Sequence, residues 1–132
     1  MRDSYGNVYV SDYFNDRVQK FDGNGHFITK WGSPGHGDGQ YGCGNNPRPH
    51  NCYDDGPQGI AADRLGHVYV VDTVNNRIEM FNSNGTFITK WGSSGTLDGQ
   101  FNGPTAIVVD RDNNVYVSDS GNHRIAVTCK GM

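Results

Sequence analysis

Two stretches of this chain are identical in sequence. Residues 27–33 and 87–93 both read FITKWGS, and each is preceded at the same offset by Asn-Gly and followed by Asp-Gly-Gln and an aromatic residue. A Val-Tyr-Val-x-Asp unit occurs three times, starting at residues 8, 68 and 115, so the spacings are 60 (68 − 8) and 47 (115 − 68) residues. A chain that repeats its own sequence folds into repeated structural units, each of which buries its apolar surface against the next.

Each repeat resolves into short β-strands. The Val-Tyr-Val runs are β-branched and aromatic, and the runs that begin at Arg17, Arg77 and Arg124 alternate polar with apolar residues, the period of a half-buried strand. Asn-Gly at residues 24–25 and 84–85 predicts tight hairpins with positive φ angles. A more apolar strand, at residues 59–62 and 105–109, precedes the later Val-Tyr-Val runs and is expected to be the most buried. Four short antiparallel strands per repeat are typical of a β-propeller blade.

These motifs resemble a known repeat family. The order is Pro-x-x-Ile-x-x-Asp, then Val-Tyr-Val-x-Asp, then Asn-x-Arg-Ile/Val, then Phe-x-x-x-Gly-x-Phe-x-x-x-Trp-Gly. This pattern is similar to the NHL repeat and covers almost the whole chain outside one insertion. The resemblance implies a β-propeller, commonly of six blades.

The repeat boundaries predict an all-β chain with about three blades of four antiparallel strands, half of a six-bladed ring. Blade 1 is expected at about residues 1–41, a loop insertion at 42–56, blade 2 at about 57–103 and blade 3 at about 104–132. The first and last units are incomplete, which leaves ten strands and unpaired apolar surface at both ends. We therefore expect either a homodimer that completes a six-bladed ring or a piece of a longer propeller.

An aspartate and an arginine recur at one spacing after each Val-Tyr-Val run. The pairs are Asp12 with Arg17, Asp72 with Arg77, and Asp119 with Arg124, and an asparagine stands two residues before each arginine. A catalytic site used once needs asymmetry, whereas these residues occur in every copy. We interpret them as structural, with the carboxylate accepting backbone N–H bonds in the turn and the arginine bridging strands or blades. Trp31 and Trp91 are interpreted as residues that pack between blades.

Strand parity predicts which loops share a face. Because consecutive strands reverse direction, the turns between the second and third strands, here called the middle turns, emerge on the same side as the crossovers between repeats. These positions differ between copies, and variable loops on a rigid frame commonly carry binding. The candidate binding residues on this loop face are Arg48, His50, Tyr53 and Asp54 of the insertion, with Tyr13 and Phe14 of the first middle turn. The alternative is that the insertion is only a solvated loop, stiffened by its two prolines.

Three cysteines bear on the compartment. Cys43 and Cys52 could close the insertion as a disulfide, which points to an oxidising environment outside the cytoplasm, or they could be two free thiols. Cys129 is expected to be a small buried residue. No Cys-x-x-Cys pair and no second histidine at ligand spacing near His50 occurs, so we predict no metal site and no cofactor.

Composition restricts the function classes. The net charge is −3 and the basic residues are scattered, which disfavours a nucleic-acid binder. No apolar run approaches the roughly 20 residues that cross a bilayer. The leading hypothesis is a non-catalytic scaffold or binding module for a protein, glycan or small ligand. The resemblance leaves two alternatives open: a lyase-type propeller with a metal near the ring axis, and an RNA-binding propeller.

Overall fold

The computed structural model describes residues 1–42 and 56–129, and within these ranges it consists of three antiparallel β-sheets. Sheet 1 contains β1 (Val8–Asp12), β2 (Arg17–Phe21) and β3 (Phe27–Trp31). Sheet 2 contains β4 (Ile60–Ala62), β5 (Val68–Asp72), β6 (Arg77–Phe81) and β7 (Phe87–Trp91). Sheet 3 contains β8 (Pro104–Val109), β9 (Val115–Asp119) and β10 (Arg124–Thr128). The predicted all-β, antiparallel architecture is confirmed.

The helical content of these ranges is small. Two single-turn 3-10 helices, Tyr13–Asn15 and Ser120–Asn122, follow β1 and β9, and no α-helix occurs in the described ranges. Nothing helical in this part of the chain has the length and apolar character required to cross a bilayer.

Equivalent repeats have the same strand register. Val8 lies opposite Phe21 and Asp12 opposite Arg17 in sheet 1, just as Val68 lies opposite Phe81 in sheet 2. Met1 and Arg2 add a short edge to β1, since Arg2 forms an isolated antiparallel bridge to Val8. The duplicated sequence therefore dictates duplicated local structure, as its propensities predict.

The hairpins that connect β2 to β3 and β6 to β7 differ in one detail from the prediction. Gly25 and Gly85 have φ angles of +85° and +87°, but the asparagines before them have no positive φ. Asp22 explains the geometry: its carboxylate accepts bonds from the backbone N–H groups of Asn24 and His26. Since this Asx turn leaves only the glycine left-handed, the connection is a longer hairpin with a bulge instead of a two-residue turn.

The core is divided into two apolar layers between the sheets. The layer between sheets 1 and 2 contains Tyr9, Val18, Tyr41, Val68, Val70 and Phe81. The layer between sheets 2 and 3 contains Ala61, Tyr69, Val71, Ile78, Phe101, Ile107, Val115 and Val117. Alternate residues of β5 thus point into opposite layers, which is the two-residue period of a strand covered on both faces.

The most buried strand is β5 and not the first strand of a repeat, so that part of the prediction is wrong. All five residues of β5 are buried, whereas four of the six residues of β8 are exposed or half-exposed. The reason is position: β5 has a strand on each edge and a sheet on each face. The prediction for Cys129 is wrong as well, because it is an exposed free thiol after the edge strand β10.

Trp31 joins sheet 1 to sheet 2, as interpreted from its recurrence. Its ring centroid lies 5.5 Å from that of Phe81 and 6.2 Å from that of Tyr9. It also covers the hairpin of sheet 2, where a Cβ on Gly85 would lie 2.5 Å from the indole ring. The recurring tryptophan is therefore a contact between neighbouring sheets.

Candidate functional site

Side chains at the middle turn of sheet 2 bind the crossover, which is the segment that connects sheet 1 to sheet 2. The Arg77 guanidinium donates to three backbone carbonyls of that crossover, at His36 (2.8 Å), Gly37 (2.9 Å) and Gln40 (3.0 Å). Its Nε donates to the Asp72 carboxylate at 2.9 Å. A planar guanidinium has five N–H donors in a fixed fork, which suits this simultaneous capture of several carbonyls.

Asp72 and Asn75 also bind this crossover, and we call the three residues Asp72, Asn75 and Arg77 the clamp of sheet 2. The Asp72 carboxylate accepts the backbone N–H of Gly42 at 3.2 Å, and the Asn75 amide donates to the carbonyls of Gly35 (3.2 Å) and Gly42 (2.9 Å). We expected this carboxylate to accept backbone N–H bonds within its own turn. It instead accepts the backbone N–H of Gly42 in the crossover. Burial raises the pKa of Asp72, although Asn75 and Arg77 act in the opposite direction.

Sheet 3 repeats the clamp on the second crossover. Arg124 donates to the carbonyls of Thr96, Leu97 and Gln100 at 2.8–2.9 Å, and Asp119 accepts the N–H of Asn102 at 2.8 Å. These contacts place the middle turns and the crossovers on one side of the sheets. We call this side the loop face; within the described ranges it comprises residues 13–16, 73–76, 120–123, 33–42 and 93–103.

Both ends of the insertion are anchored on the loop face. Gly42 is held by the clamp of sheet 2, and Gly56 packs so closely on the Tyr13 backbone that a Cβ there would collide with the Tyr13 carbonyl. The predicted site residues Arg48, His50, Tyr53 and Asp54, and the cysteines Cys43 and Cys52, lie outside the described residues. The attachment points nevertheless fix where this segment leaves the frame and where it returns.

Tyr13 and Phe14 form an aromatic pair beside that attachment. Their ring centroids are 5.2 Å apart at an interplanar angle of 84°, and Phe14 is 65% exposed. Thr73-Val74 and Ser120-Gly121 occupy the same positions in the other middle turns, so the pair belongs to the first copy alone. Exposed aromatic rings with a polar hydroxyl are suited to stacking on flat or apolar ligand groups.

A buried carboxylate was missed by the sequence analysis. Glu79 of β6 is fully buried, accepts the N–H of Gly39 at 2.9 Å and has a second oxygen without a partner among the described residues. Burial raises its pKa to about 7, although Gly39 and Arg77 oppose the shift. The one signal in the sequence is that the other copies carry Gln19 and Ala126 at this position.

The four histidines of the described ranges are divided between the two sides of the sheets. His36 and His123 lie on the loop face, whereas His26 and His67 lie in hairpins on the opposite side. The Nδ1 atom of His36 is 2.6 Å from the Asn75 amide oxygen, and that of His67 is 2.8 Å from Asp63. Within the described ranges no three His, Cys, Asp or Glu side chains are grouped closely enough to hold a metal ion.

Comparison with known proteins supports the resemblance in two segments of the chain. The NHL repeat family model matches residues 55–81 and 101–127, which confirms the resemblance in the second and third copies. No curated protein sequence matched the chain.

Solved structures of similar fold are propeller proteins much longer than this chain. A streptogramin B lyase superposes with a TM-score of 0.67 at 19% identity, over 98% of this chain and 36% of its own. An auxiliary nutrient binding protein from Bacteroides thetaiotaomicron gives 0.61 at 20% identity, over 91% of this chain and 34% of its own. A catalytically inactive virginiamycin B lyase from Staphylococcus aureus, solved with quinupristin, gives 0.60 at 16% identity, over 100% and 40%. The chain thus spans little more than a third of the length of these neighbours.

Proposed function

We propose that this chain, in which two segments match the NHL repeat, is a binding module whose loop face contacts a protein, glycan or small ligand. The observation that carries this proposal is the aromatic pair of Tyr13 and Phe14, which lies where the insertion returns to the frame at Gly56. The site would comprise this pair and the insertion residues Arg48, His50, Tyr53 and Asp54. We propose no catalytic residue and no cofactor for it.

The frame supports such a role because it separates rigid from variable positions. The clamp residues bind backbone atoms, so the crossover can change its side chains without losing the contacts that hold it. The first middle turn, by contrast, has aromatic residues where the other two have small or aliphatic ones. An auxiliary nutrient binding protein is among the solved structures with this fold, so the fold serves binding in at least one neighbour.

The competing hypothesis is a lyase-type propeller, which is favoured by the two lyases among the structural neighbours. It requires ligands or acid–base groups that converge near the axis. The described histidines do not converge, and His50 of the insertion is the candidate for completing such a group. Elemental analysis of the purified chain separates the two hypotheses. Stoichiometric metal in the wild type that is lost in His50→Ala would favour the lyase hypothesis over the binding module.

We also propose that further blades complete this chain. Sheets 1 and 3 each have one face without a neighbouring sheet in the described ranges, and Val10, Phe27, Val108 and Ile125 are 43–62% exposed. A second copy could supply the missing blades, or the chain could be part of a longer propeller. Light scattering during size-exclusion chromatography tests this: a monomer with a sharp thermal transition would contradict the first version.

The binding site is tested by changing only its distinctive residues. We would make Tyr13→Thr with Phe14→Val, the residues found at these positions in the second copy, and screen oligosaccharides and aromatic peptides by saturation-transfer NMR. We expect ligands of the wild type to bind the double variant at least tenfold more weakly. Tyr5→Thr, at an aromatic residue that is 70% exposed and lies in a hairpin on the side opposite the loop face, is the control. Unchanged affinity in the double variant, or no ligand from either class, would refute the proposal.

A further inference from the structure

Glu79 is enclosed by the crossover from sheet 1 to sheet 2, whose residues 33–42 we call the first crossover. The Glu79 side chain is fully buried, and its Oε1 accepts the backbone N–H of Gly39 at 2.9 Å. The other oxygen, Oε2, is buried as well and has no hydrogen-bond partner among the described residues. A buried carboxyl group stays neutral unless a cation or several donors compensate its charge. The ionised form of Glu79 is therefore poorly compensated in this site.

Arg77 does not supply the missing contact. Its Nη2 lies 3.6 Å from the Glu79 Oε1, which is beyond hydrogen-bond distance. Both hydrogens of this nitrogen are already engaged, because Nη2 donates to the carbonyls of Gly37 and Gln40. The guanidinium can therefore turn toward an ionised Glu79 only if it gives up at least one carbonyl of the first crossover.

The other ionisable groups around Glu79 do not compensate its charge either. Burial is the largest influence on the pKa of Glu79 and raises it to about 7, and the carboxylates of Asp72 (β5) and Asp38 (first crossover) act in the same direction. Lys90 of β7 lies opposite Glu79 in register, but its ammonium binds Asp38 at 2.7 Å. Tyr41 stays neutral, since burial raises the pKa of its hydroxyl well above the ordinary value.

The second crossover, residues 93–103, is held by an equivalent clamp without this carboxylate. Ala126 of β10 stands where β6 has Glu79. Phe101 stands where the first crossover has Tyr41. Arg124 still donates to three carbonyls there, so a crossover is held in place without a buried carboxylate. Of the two described crossovers, the carboxylate accompanies the one that leads into the insertion.

We propose that Glu79 is a pH-sensitive switch that controls whether the first crossover stays bound to sheet 2. While the carboxyl group is protonated, Arg77 keeps its carbonyl contacts and the crossover covers β6. Ionisation draws Arg77 toward Glu79 and admits water to the carboxylate, which releases the segment from Gly37 to Tyr41. The switch acts on the frame of the loop face and does not depend on the binding function proposed above.

Proton linkage gives the direction and size of the effect. Release exposes the carboxyl group to water and returns its pKa from about 7 to the ordinary value of 4.5. Because the released form binds the proton more weakly, it gains population as the pH rises. The released fraction should increase about 70-fold between pH 5 and pH 8 and level off above that.

Amide hydrogen exchange of the isotopically labelled full chain, followed by NMR from pH 5 to pH 8, tests the switch. After correction for the intrinsic exchange rate at each pH, the protection of the Gly39 and Tyr41 amides should fall at least tenfold. The carboxyl carbon of Glu79 should titrate over the same pH range. Glu79→Gln should abolish the fall, since a neutral amide still accepts the Gly39 N–H and Gln19 occupies this position in the first copy. Glu79→Ala, which copies Ala126, is the second variant and should abolish it too.

The second crossover is the matched control within the same molecule. Its Phe101 amide donates to the Ser93 carbonyl as the Tyr41 amide donates to that of Ser33. The protection of Phe101 should not change with pH in the wild type or in the variants. Constant protection of the first crossover in the wild type, or an equal fall in both Glu79 variants, would overturn the proposal. An equal fall in both crossovers would overturn it as well, because ionisation would then act on the whole fold.

Discussion

Two glycines with the same backbone geometry allow the contact between sheets to be measured. Gly25 and Gly85 close equivalent hairpins with φ angles of +85° and +87°. A Cβ at Gly25 would meet nothing within 4 Å, whereas one at Gly85 would lie 2.5 Å from the Trp31 ring. Gly25→Ala therefore carries only the penalty of a left-handed alanine, about 1–2 kcal/mol, partly offset by the lower entropy of the unfolded chain. Gly85→Ala adds overpacking, typically about 1–3 kcal/mol.

We expect Gly85→Ala to lower the free energy of unfolding by about 1–3 kcal/mol more than Gly25→Ala, measured by urea titration. Trp31→Leu supplies the internal control, since it opens the space above Gly85 and should make the two alanine variants nearly equal in a double-mutant cycle. If the variants are equally destabilised with Trp31 in place, then Trp31 does not cover the neighbouring hairpin. The packing derived for sheets 1 and 2 would then be wrong.

Three other predictions concern buried polar groups. Burial raises the pKa of Glu79 from 4.5 to about 7, so its contribution to stability is complete below pH 4.5 and is lost as pH rises through 7. Between pH 4 and 8 the unfolding free energy of Glu79→Gln should therefore rise by about 1–3 kcal/mol relative to that of the wild type. Parallel pH profiles of the two proteins in urea titrations would contradict this. Lys20 is 6% exposed and stands where the second repeat has Met80. Lys20→Met should therefore leave the unfolding free energy unchanged or raise it by about 1 kcal/mol. A lower stability of the variant in thermal unfolding would show that the bond from Lys20 to the Ser83 carbonyl stabilises the fold. Arg77→Met removes three carbonyl contacts and should lower the unfolding free energy by about 3–5 kcal/mol, whereas less than 1 kcal/mol in urea would show that the clamp is dispensable.

The strands and their order could be predicted because they depend on local sequence. Val-Tyr-Val runs and alternating runs have the two-residue period of a strand wherever they stand, and parity then assigns loops to faces. The contacts of Arg77 and Arg124 with the crossovers agree with that assignment. The turn chemistry was less predictable, since Asp22 competes with Asn24-Gly25 for control of the hairpin.

The candidate site could be predicted only in part. The exposed aromatic pair was found because it breaks the repeat, and departures from a repeat are visible in sequence. Glu79 also breaks the repeat, but whether a carboxylate is buried depends on what packs over it. The crossover from sheet 1 covers it, and no local pattern around residue 79 reports that contact.

Asp12 and Asp72 illustrate the division between sequence and tertiary structure. Both follow the same Val-Tyr-Val run, both precede an asparagine and an arginine, and both pair with that arginine, so the sequence alone determined their local conformation. Their pKa values shift in opposite directions. Burial acts to raise both, but at Asp12 the bonds from Arg17 and Asn15 prevail and the pKa falls, while at Asp72 burial prevails and the pKa rises. Only the tertiary structure decided this, because desolvation depends on whether another sheet and its crossover cover the site, and that neighbour is present for Asp72 and absent from the described ranges for Asp12.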